Sequence, residues 1–386
     1  MVAPVGEGVT SRIDWVLASC RLLERIGAEF ESSRPFAGLK IGTGIHLEPK
    51  TVALLLALRR GGADAVSTGN LGSTQPDAVA YLVGHGVTVV GGPTTDEDEH
   101  DSNLRAVLAA EPDLLLDNGG DLFVRYLDAP YASLVGGTEE TTSGRMRLEP
   151  LRDRIARPVL VINDSPIKQF AENYHAVGQS VLESFMRITN RSTNGKRVTV
   201  FGYGGCGKGV AVSFQRAFAV VSVVEFDPVR RLEARLDGFL TPERADALGD
   251  AEIVVTVTGA RDVVTAADLP LLRDDVILAN GGHFPAEIAY RAMFADPSVQ
   301  STRRDGEGID TAVLADGRRV HVLTGGHMVN LNGPRPLGNS VESMDVGFAL
   351  QLRCLEAVAT GRVDARHAVV PVPRSIDEQV ARSVFD

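Results

Sequence analysis

A chain of 386 residues is longer than one ordinary hydrophobic core requires, so two domains are the default expectation. Hydrophobic residues make up 44%, charged residues 23%, and glycine reaches 40, the composition of a globular α/β protein. A formal net charge of -11, with no Lys/Arg stripe, argues against a nucleic-acid partner, because neutralising phosphates takes clustered cations.

No apolar run reaches the roughly 20 residues that a membrane span needs. The opening MVAPVGEGVTSRIDW lacks the basic-then-apolar pattern of a secretory signal, so a cytoplasmic protein without membrane association is expected. Cys20, Cys206 and Cys354 lie far apart and form no CxxC pair; they read as isolated reduced thiols, and no metal site is expected.

In chain order, a helix is predicted through TVALLLALRR, followed by strands near 64–67, 87–90, 113–116 and 158–162 separated by helical stretches. Such alternation predicts a parallel sheet covered by helices. Ligands of open α/β sheets bind beyond the carboxyl ends of the strands, so the polar turns GNLGSTQ, DNGGD, GTEETTSG and NDSP mark the candidate substrate side. A helix is predicted to start at NDSP, capped by Asp164 or Ser165 with Pro166 in its first turn. Val177, Val181, Phe185 and Ile188 share one face of it, and the polar NRSTNGK ends it. A second α/β unit is predicted from 197 to about 333, then a helix near 347–360 and a polar end. The expected division is a substrate domain over 1–180 completed by 334–386, with a nucleotide domain over 181–333.

RVTVFGYGGCGKGVAV reads as a strand, a G-x-G-x-x-G turn at Gly202, Gly204 and Gly207, and a helix; Glu225 closes the next strand about twenty residues on. The glycines permit the tight turn, the approach of a pyrophosphate and close helix packing, while the helix N-terminus offers free N–H groups. Glu225 suits a ribose diol and would repel a 2′-phosphate, which favours NAD over NADP. A glycine turn alone is a weak signal; strand, glycines, helix and acid in register make a dinucleotide site the stronger reading. EIVVTVTG and DVILANGGH then supply the following strands.

With those motifs placed, the sequence resembles the S-adenosylhomocysteine hydrolase (adenosylhomocysteinase) family through GNLGSTQ, LLDNGGD, EETTSG, INDSPIKQFAEN, FGYGGCGKG, EFDP, VTVTG, NGGHF and VNLN, in that family's order over nearly the whole chain. The resemblance implies two α/β domains with parallel sheets, the second a Rossmann NAD-binding domain inserted into a discontinuous substrate domain. It implies a homo-oligomer, dimer or tetramer, acting on a small-molecule nucleoside. It also implies transient oxidation of the ribose 3′-hydroxyl by NAD, loss of the C4′ proton, expulsion of the 5′ substituent, addition of water and re-reduction, with no net redox change. A carbon beside a ketone loses its proton far more readily than one beside an alcohol.

By the same resemblance Lys168 lies near the 3′-hydroxyl, Glu172 near C4′ and His46 near the 5′ position, while Glu140 and Thr141 hold ribose hydroxyls. Spacing i, i+4 puts Lys168 and Glu172 on one helical face, and desolvation makes a lysine amine easier to deprotonate. Read without the resemblance, such a pair is more often a solvated ion pair, and EETT an ordinary helix cap. Ser73 and His283 join the substrate side. The implied cofactor side comprises Thr141, Thr142, Ser143, Asn173, Gly202, Gly204, Gly205, Cys206, Gly207, Glu225, Thr256, Thr258, Gly259, Asn280, Gly282, His283 and Asn330.

The departures cluster at the base and the 5′ end. Where the family's adenine-contacting Thr and Glu are expected stand Glu48 and Lys50; Lys50 could face the base or solvent. Asn118 replaces the second Asp of a DDGGD loop and cannot exchange a proton as a carboxylic acid does. PRPLGNS stands in place of MGHP, and the chain stops at Asp386 short of the family's Lys- and Tyr-ending tail, which leaves cofactor retention and oligomer geometry open. The groups for oxidation and proton abstraction thus persist while those for the 5′ end change. This suggests elimination of water from a nucleoside to leave an alkene, a dehydratase of nucleoside-antibiotic biosynthesis of the angustmycin type. The alternatives are hydrolysis of S-adenosylhomocysteine itself, a non-catalytic NAD-binding regulator, and a dehydrogenase with net turnover of NAD.

Overall fold

The computed structural model describes residues 11–283 and 285–385, which form two compact units. The described residues up to Ile167 and those from Met344 onward make one; Lys168–Ser343 make the other.

The first unit is built on an all-parallel sheet of β1 (Lys40–Ile45), β2 (Asp64–Gly69), β3 (Thr88–Val90), β4 (Leu114–Asp117), β5 (Gly136–Glu139) and β6 (Val159–Val161), with the short strand Val370–Pro371 beside β6. The spatial order is Val370–Pro371, β6, β5, β4, β1, β2, β3, so β1 is central and sits between β2 and β4. Parallel strands buried on both faces read as continuous apolar runs, as in the fully buried LLLD of β4. One core cluster of this unit joins Leu104, Val107, Leu115, Phe123, Leu148, Val159 and Val161. Two strands escaped the sequence reading: β1 is KIGTGI and β5 is GGTE, each carrying two glycines, which are depleted in strands. The stretch GTEETTSG, expected as a turn, therefore begins inside the sheet. The end expected to be merely polar supplies the edge strand Val370–Pro371 and a helix, Arg374–Phe385, that buries Ile376 and Val380.

The second unit carries β7 (Arg197–Phe201), β8 (Val220–Val224), β9 (Ile253–Thr256), β10 (Val276–Asn280), β11 (Val299–Gly306), β12 (Ile309–Leu314) and β13 (Arg319–Leu323) in the order β11, β12, β13, β10, β9, β7, β8. The β8, β7, β9, β10, β13 portion is parallel and Rossmann-like, as expected; β12 and β11 extend it antiparallel, so the sheet is mixed. Interruption of the first unit's chain by this unit gives the discontinuous arrangement the sequence implied.

The unit boundaries fall at Ile167/Lys168 and Ser343/Met344, not at the expected 180/181 and 333/334. At the first boundary the reason is packing: a Cβ on Gly178 would lie 2.3 Å from Gly209 O and one on Gly209 would lie 1.9 Å from Tyr174 O, so residues before 181 already pack within the second unit, continuous with the buried Val181 and Phe185 of the helix Val177–Thr189. Asn190, in the left-handed region at φ 50, ends the helix. No helix among the described residues is long and apolar enough to cross a membrane.

Candidate active site

In the first unit, polar side chains gather at the carboxyl ends of β1, β2, β4 and β5. His46 follows β1, and its Nδ1 lies 2.5 Å from Ser73 Oγ in the turn after β2. Glu48 precedes the helix Pro49–Arg60 in extended conformation, and its Oε2 lies 2.7 Å from Lys50 Nζ, with both side chains at most 4% exposed. Lys50 is therefore a buried, paired cation and not a solvent-facing one. Burying such a pair costs desolvation that surface pairs avoid.

Asn118, directly after β4, bridges two neighbours: Asn70 Nδ2 donates to its Oδ1 at 3.0 Å, and its Nδ2 donates to Glu140 Oε2 at 2.9 Å. Two carboxylates with no ligand role expected for them hold this arrangement. Asp117 accepts from the N–H groups of Asn118, Leu122 and Phe123 at 2.9–3.0 Å, tying down the start of the helix Asp121–Tyr126. Glu139, its register partner on β5, accepts from Gly119 N, Gly120 N, Thr141 N and Thr141 Oγ1 at 2.7–3.0 Å. Both are fully buried; loss of solvation, then the neighbouring negative charge, pushes each carboxyl up, while the N–H donors pull back.

The hydroxyl of Thr141, expected on ribose, is engaged locally: it donates to Glu139 and caps the helix Thr142–Leu148 by accepting from Gly144 N at 2.9 Å. Thr142 Oγ1 donates to Asn163 Oδ1 and Ser143 Oγ lies 3.0 Å from Thr141 Oγ1, so these expected cofactor residues also serve the turn itself.

In the second unit the glycine turn stands between β7 and the helix Gly205–Arg216. Gly202 takes φ 98, reserved for glycine, and a Cβ on Gly207 would lie 2.1 Å from the Gly202 carbonyl oxygen. By contrast, among the described residues beyond its own chain neighbours and helix backbone, a Cβ on Gly204 would meet nothing closer than Arg230 Nη1 at 3.5 Å, leaving room there for a pyrophosphate. Glu225 directly follows β8, its carboxylate accepting from Tyr203 N at 2.8 Å and Asp227 N at 3.0 Å. Cys206 sits in this turn with its thiol pushed up to about 11 by burial, which leaves it a poor nucleophile.

Lys168 and Glu172 lie on the π-helix Lys168–Ala176; Lys168 Nζ donates to Glu172 Oε2, and the residues are 6% and 2% exposed. Burial removes the solvated surface pair from consideration. π-Helical segments are rare and recur at functional sites. This one lies against the glycine turn: a Cβ on Gly205 would come within 2.9 Å of Gln169 Oε1 and 3.2 Å of Asn173 Cβ. Ser165, and not Asp164, supports its entry, accepting from Ile167 N and donating to Asp377; Asp164 instead pairs with Arg145.

At the carboxyl ends of β9 and β10, Asn280 Oδ1 accepts from Gly282 N at 2.7 Å and its Nδ2 donates to Gly326 O, a strut that shapes the loop bearing half-buried His283. Thr256 Oγ1 lies 3.3 Å from the same Oδ1. Glu287, which no local pattern singles out, gathers Thr258 N, Thr258 Oγ1 and Gly259 N at 2.7–3.0 Å. Asn330 Nδ2 donates to Ser180 Oγ, while its Oδ1 is buried without a partner among the described residues. The open approach at Gly204, the acid at Glu225 and this orphan acceptor together fit a dinucleotide with a polar amide at its far end. Among the described residues no cluster of His, Cys, Asp and Glu could hold a metal ion.

Comparison with known proteins adds sequence-wide similarity. The family described as S-adenosyl-L-homocysteine hydrolase matches residues 17–134, and its NAD binding domain matches residues 173–335. The S-inosyl-L-homocysteine hydrolase of Methanothermobacter thermautotrophicus is 37% identical over 100% of this chain and 92% of its own length. The adenosylhomocysteinase of Thermococcus kodakarensis is 37% identical over 99% and 90%, and that of Thermotoga maritima 37% over 97% and 93%.

Proposed function

Because the chain belongs to the S-adenosyl-L-homocysteine hydrolase family, an NAD-dependent hydrolase family with no net redox change, we propose that it cleaves the thioether of an S-(purine nucleosyl)-L-homocysteine to a nucleoside and homocysteine. Bound NAD supplies reversible oxidation of a sugar carbinol carbon. Gly202, Gly204 and Gly207 would admit its pyrophosphate, Glu225 its adenosine ribose and Asn330 its amide.

The observation that carries the reading is the buried Lys168–Glu172 pair on a helix laid against the glycine turn. Lys168 is the base for the sugar hydroxyl proton, and the adjacent carboxylate accepts the proton of the neighbouring carbon; each such transfer contributes about 10²–10⁴-fold. His46, held by Ser73, handles protons at the 5′ end. The buried Glu48–Lys50 pair supplies one acceptor and one donor, complementary to the acceptor-and-donor edge that adenine and hypoxanthine both carry.

A second reading, elimination of water from a nucleoside to give an alkene, is favoured by Asn118, which has no acidic proton to offer. The test is incubation of the NAD-loaded protein, in deuterated water, with S-adenosyl-L-homocysteine and S-inosyl-L-homocysteine separately. Release of homocysteine thiol with deuterium entering C4′ is expected for at least one. Exchange without thiol release from either, with alkene formed from a free nucleoside, would replace hydrolysis by dehydration; no exchange at all would leave a binding protein.

A further inference from the structure

A carboxylate only accepts hydrogen bonds, and that fact orients three side chains of the first unit. Glu140 Oε2 takes Asn118 Nδ2, so Asn118 must turn its Oδ1 to Asn70, and Asn70 must answer with its Nδ2. Asn70 is left with its own Oδ1 directed away from the amide chain. That oxygen is buried, on a residue 6% exposed, and has no partner among the described residues. Flipping the amides offers no relief, since it would set Asn118 Oδ1 against the Glu140 carboxylate.

The backbone of Asn70 is already committed: its N–H donates to Ile45 O at 3.1 Å, and its carbonyl receives Ser73 N at 3.2 Å and Ser73 Oγ at 3.3 Å. The same Ser73 Oγ contacts His46 Nδ1 at 2.5 Å. One short turn thus carries a desolvated neutral acceptor and, through Ser73, holds the histidine ring that follows β1. Leaving such an acceptor unmatched is unfavourable unless a ligand supplies its donor.

We propose that Asn70 Oδ1 holds the water consumed in hydrolysis, an inference that rests on the thioether-cleaving reading. Water entering this step needs two acceptors, one that fixes it and one that removes a proton. A neutral amide oxygen does the first and an imidazole the second. One O–H bond of water breaks and its proton passes to His46; the C–O bond forms at the carbon that carried sulfur, and the neighbouring carbon regains the proton lost earlier. Asn70 is in this account a residue of the hydration half alone.

The test uses the NAD-loaded full chain with whichever of the two thioethers the natural protein cleaves, and compares Asn70→Ala and Asn70→Leu, the second keeping side-chain volume. Both variants also remove the donor to Asn118 Oδ1, so deuterium entry at C4′ should fall by no more than a few-fold, clearly less than hydration. Formation of the saturated nucleoside should fall about tenfold, the effect of one lost hydrogen bond to a reacting group, with unsaturated nucleoside detectable by mass spectrometry. Equal loss of both rates, or loss of neither, in both variants overturns the assignment. Absence of thiol release from the natural protein overturns it together with the hydrolytic reading.

Discussion

The two polar edges are made by opposite means. In Lys168–Ser343 the cofactor turn is a backbone device, in which φ 98 at Gly202 and a bare Gly207 let main chain approach main chain. In the first unit the edge is a side-chain device: Asn70, Asn118 and Glu140 form a relay whose polarity one carboxylate sets, with Asp117 and Glu139 beneath it. Backbone devices tolerate only small residues but ignore charge. Side-chain relays tolerate shape changes yet reorganise when a single proton or amide is altered.

The largest effect should come where chemistry and turn meet. Lys168→Ala removes the amine that faces the buried Glu172 carboxylate, so C4′ exchange should fall on the order of 10³-fold, while NAD binding, measured by titration of the apo protein, stays within a few-fold. If exchange survives, the π-helix is a packing feature and not the reactive face. Asn118→Asp probes the relay. It would set a second carboxylate about 3 Å from Glu140 Oε2, where two like charges cannot both persist, so the pair must share a proton. Thiol release should then rise by several-fold relative to C4′ exchange, because an acid is restored at the 5′ side. An unchanged ratio would mean that Asn118 serves only to orient its neighbours.

The same contrast decides what the amino-acid sequence made legible. The glycine turn was readable because Gly202, Gly204, Gly207 and Glu225 obey local geometry within one strand–turn–helix–strand passage. The pairing of Lys168 with Glu172 was readable from i, i+4 spacing, though its burial was not. Asn70 and Glu139 were unreadable: their partners lie 48 and about 20 positions away, and the strand order β5, β4, β1, β2 that joins them was out of reach with β1 and β5 unrecognised. KIGTGI and GGTE are glycine-rich because neighbours crowd them; a Cβ on Gly137 would lie 1.9 Å from Leu115 O. Tertiary crowding had erased the local β signal. Glu287 was missed likewise, since its task of gathering Thr258 and Gly259 exists only in three dimensions.

The smallest and most diagnostic effect concerns Glu139. Burial and the nearby Asp117 raise its folded-state pKa above the unfolded value, so the folded state holds more protons than the unfolded one between those two values. Its contribution to stability is therefore fully present below the unfolded pKa and declines as pH rises through the folded one, opposite in sign to a salt-bridged carboxylate. Asp121 provides the internal contrast: burial would raise it, but the nearby His100 and hydrogen bonds from Arg147 and Arg125 outweigh that and lower it, so its contribution is lost only on acidification. Glu139→Gln cannot ionise, and its amide nitrogen must face either Gly120 N or the cluster of donors at Thr141 and Gly119, which leaves one N–H unmatched. The variant should lose about 1–3 kcal/mol of unfolding free energy at mildly acidic pH, and the gap should narrow as pH rises through neutrality, because only the natural protein sheds a proton there. Denaturant unfolding across that range checks it. A gap constant with pH would mean that Glu139 is ionised throughout and that its four donors outweigh its burial.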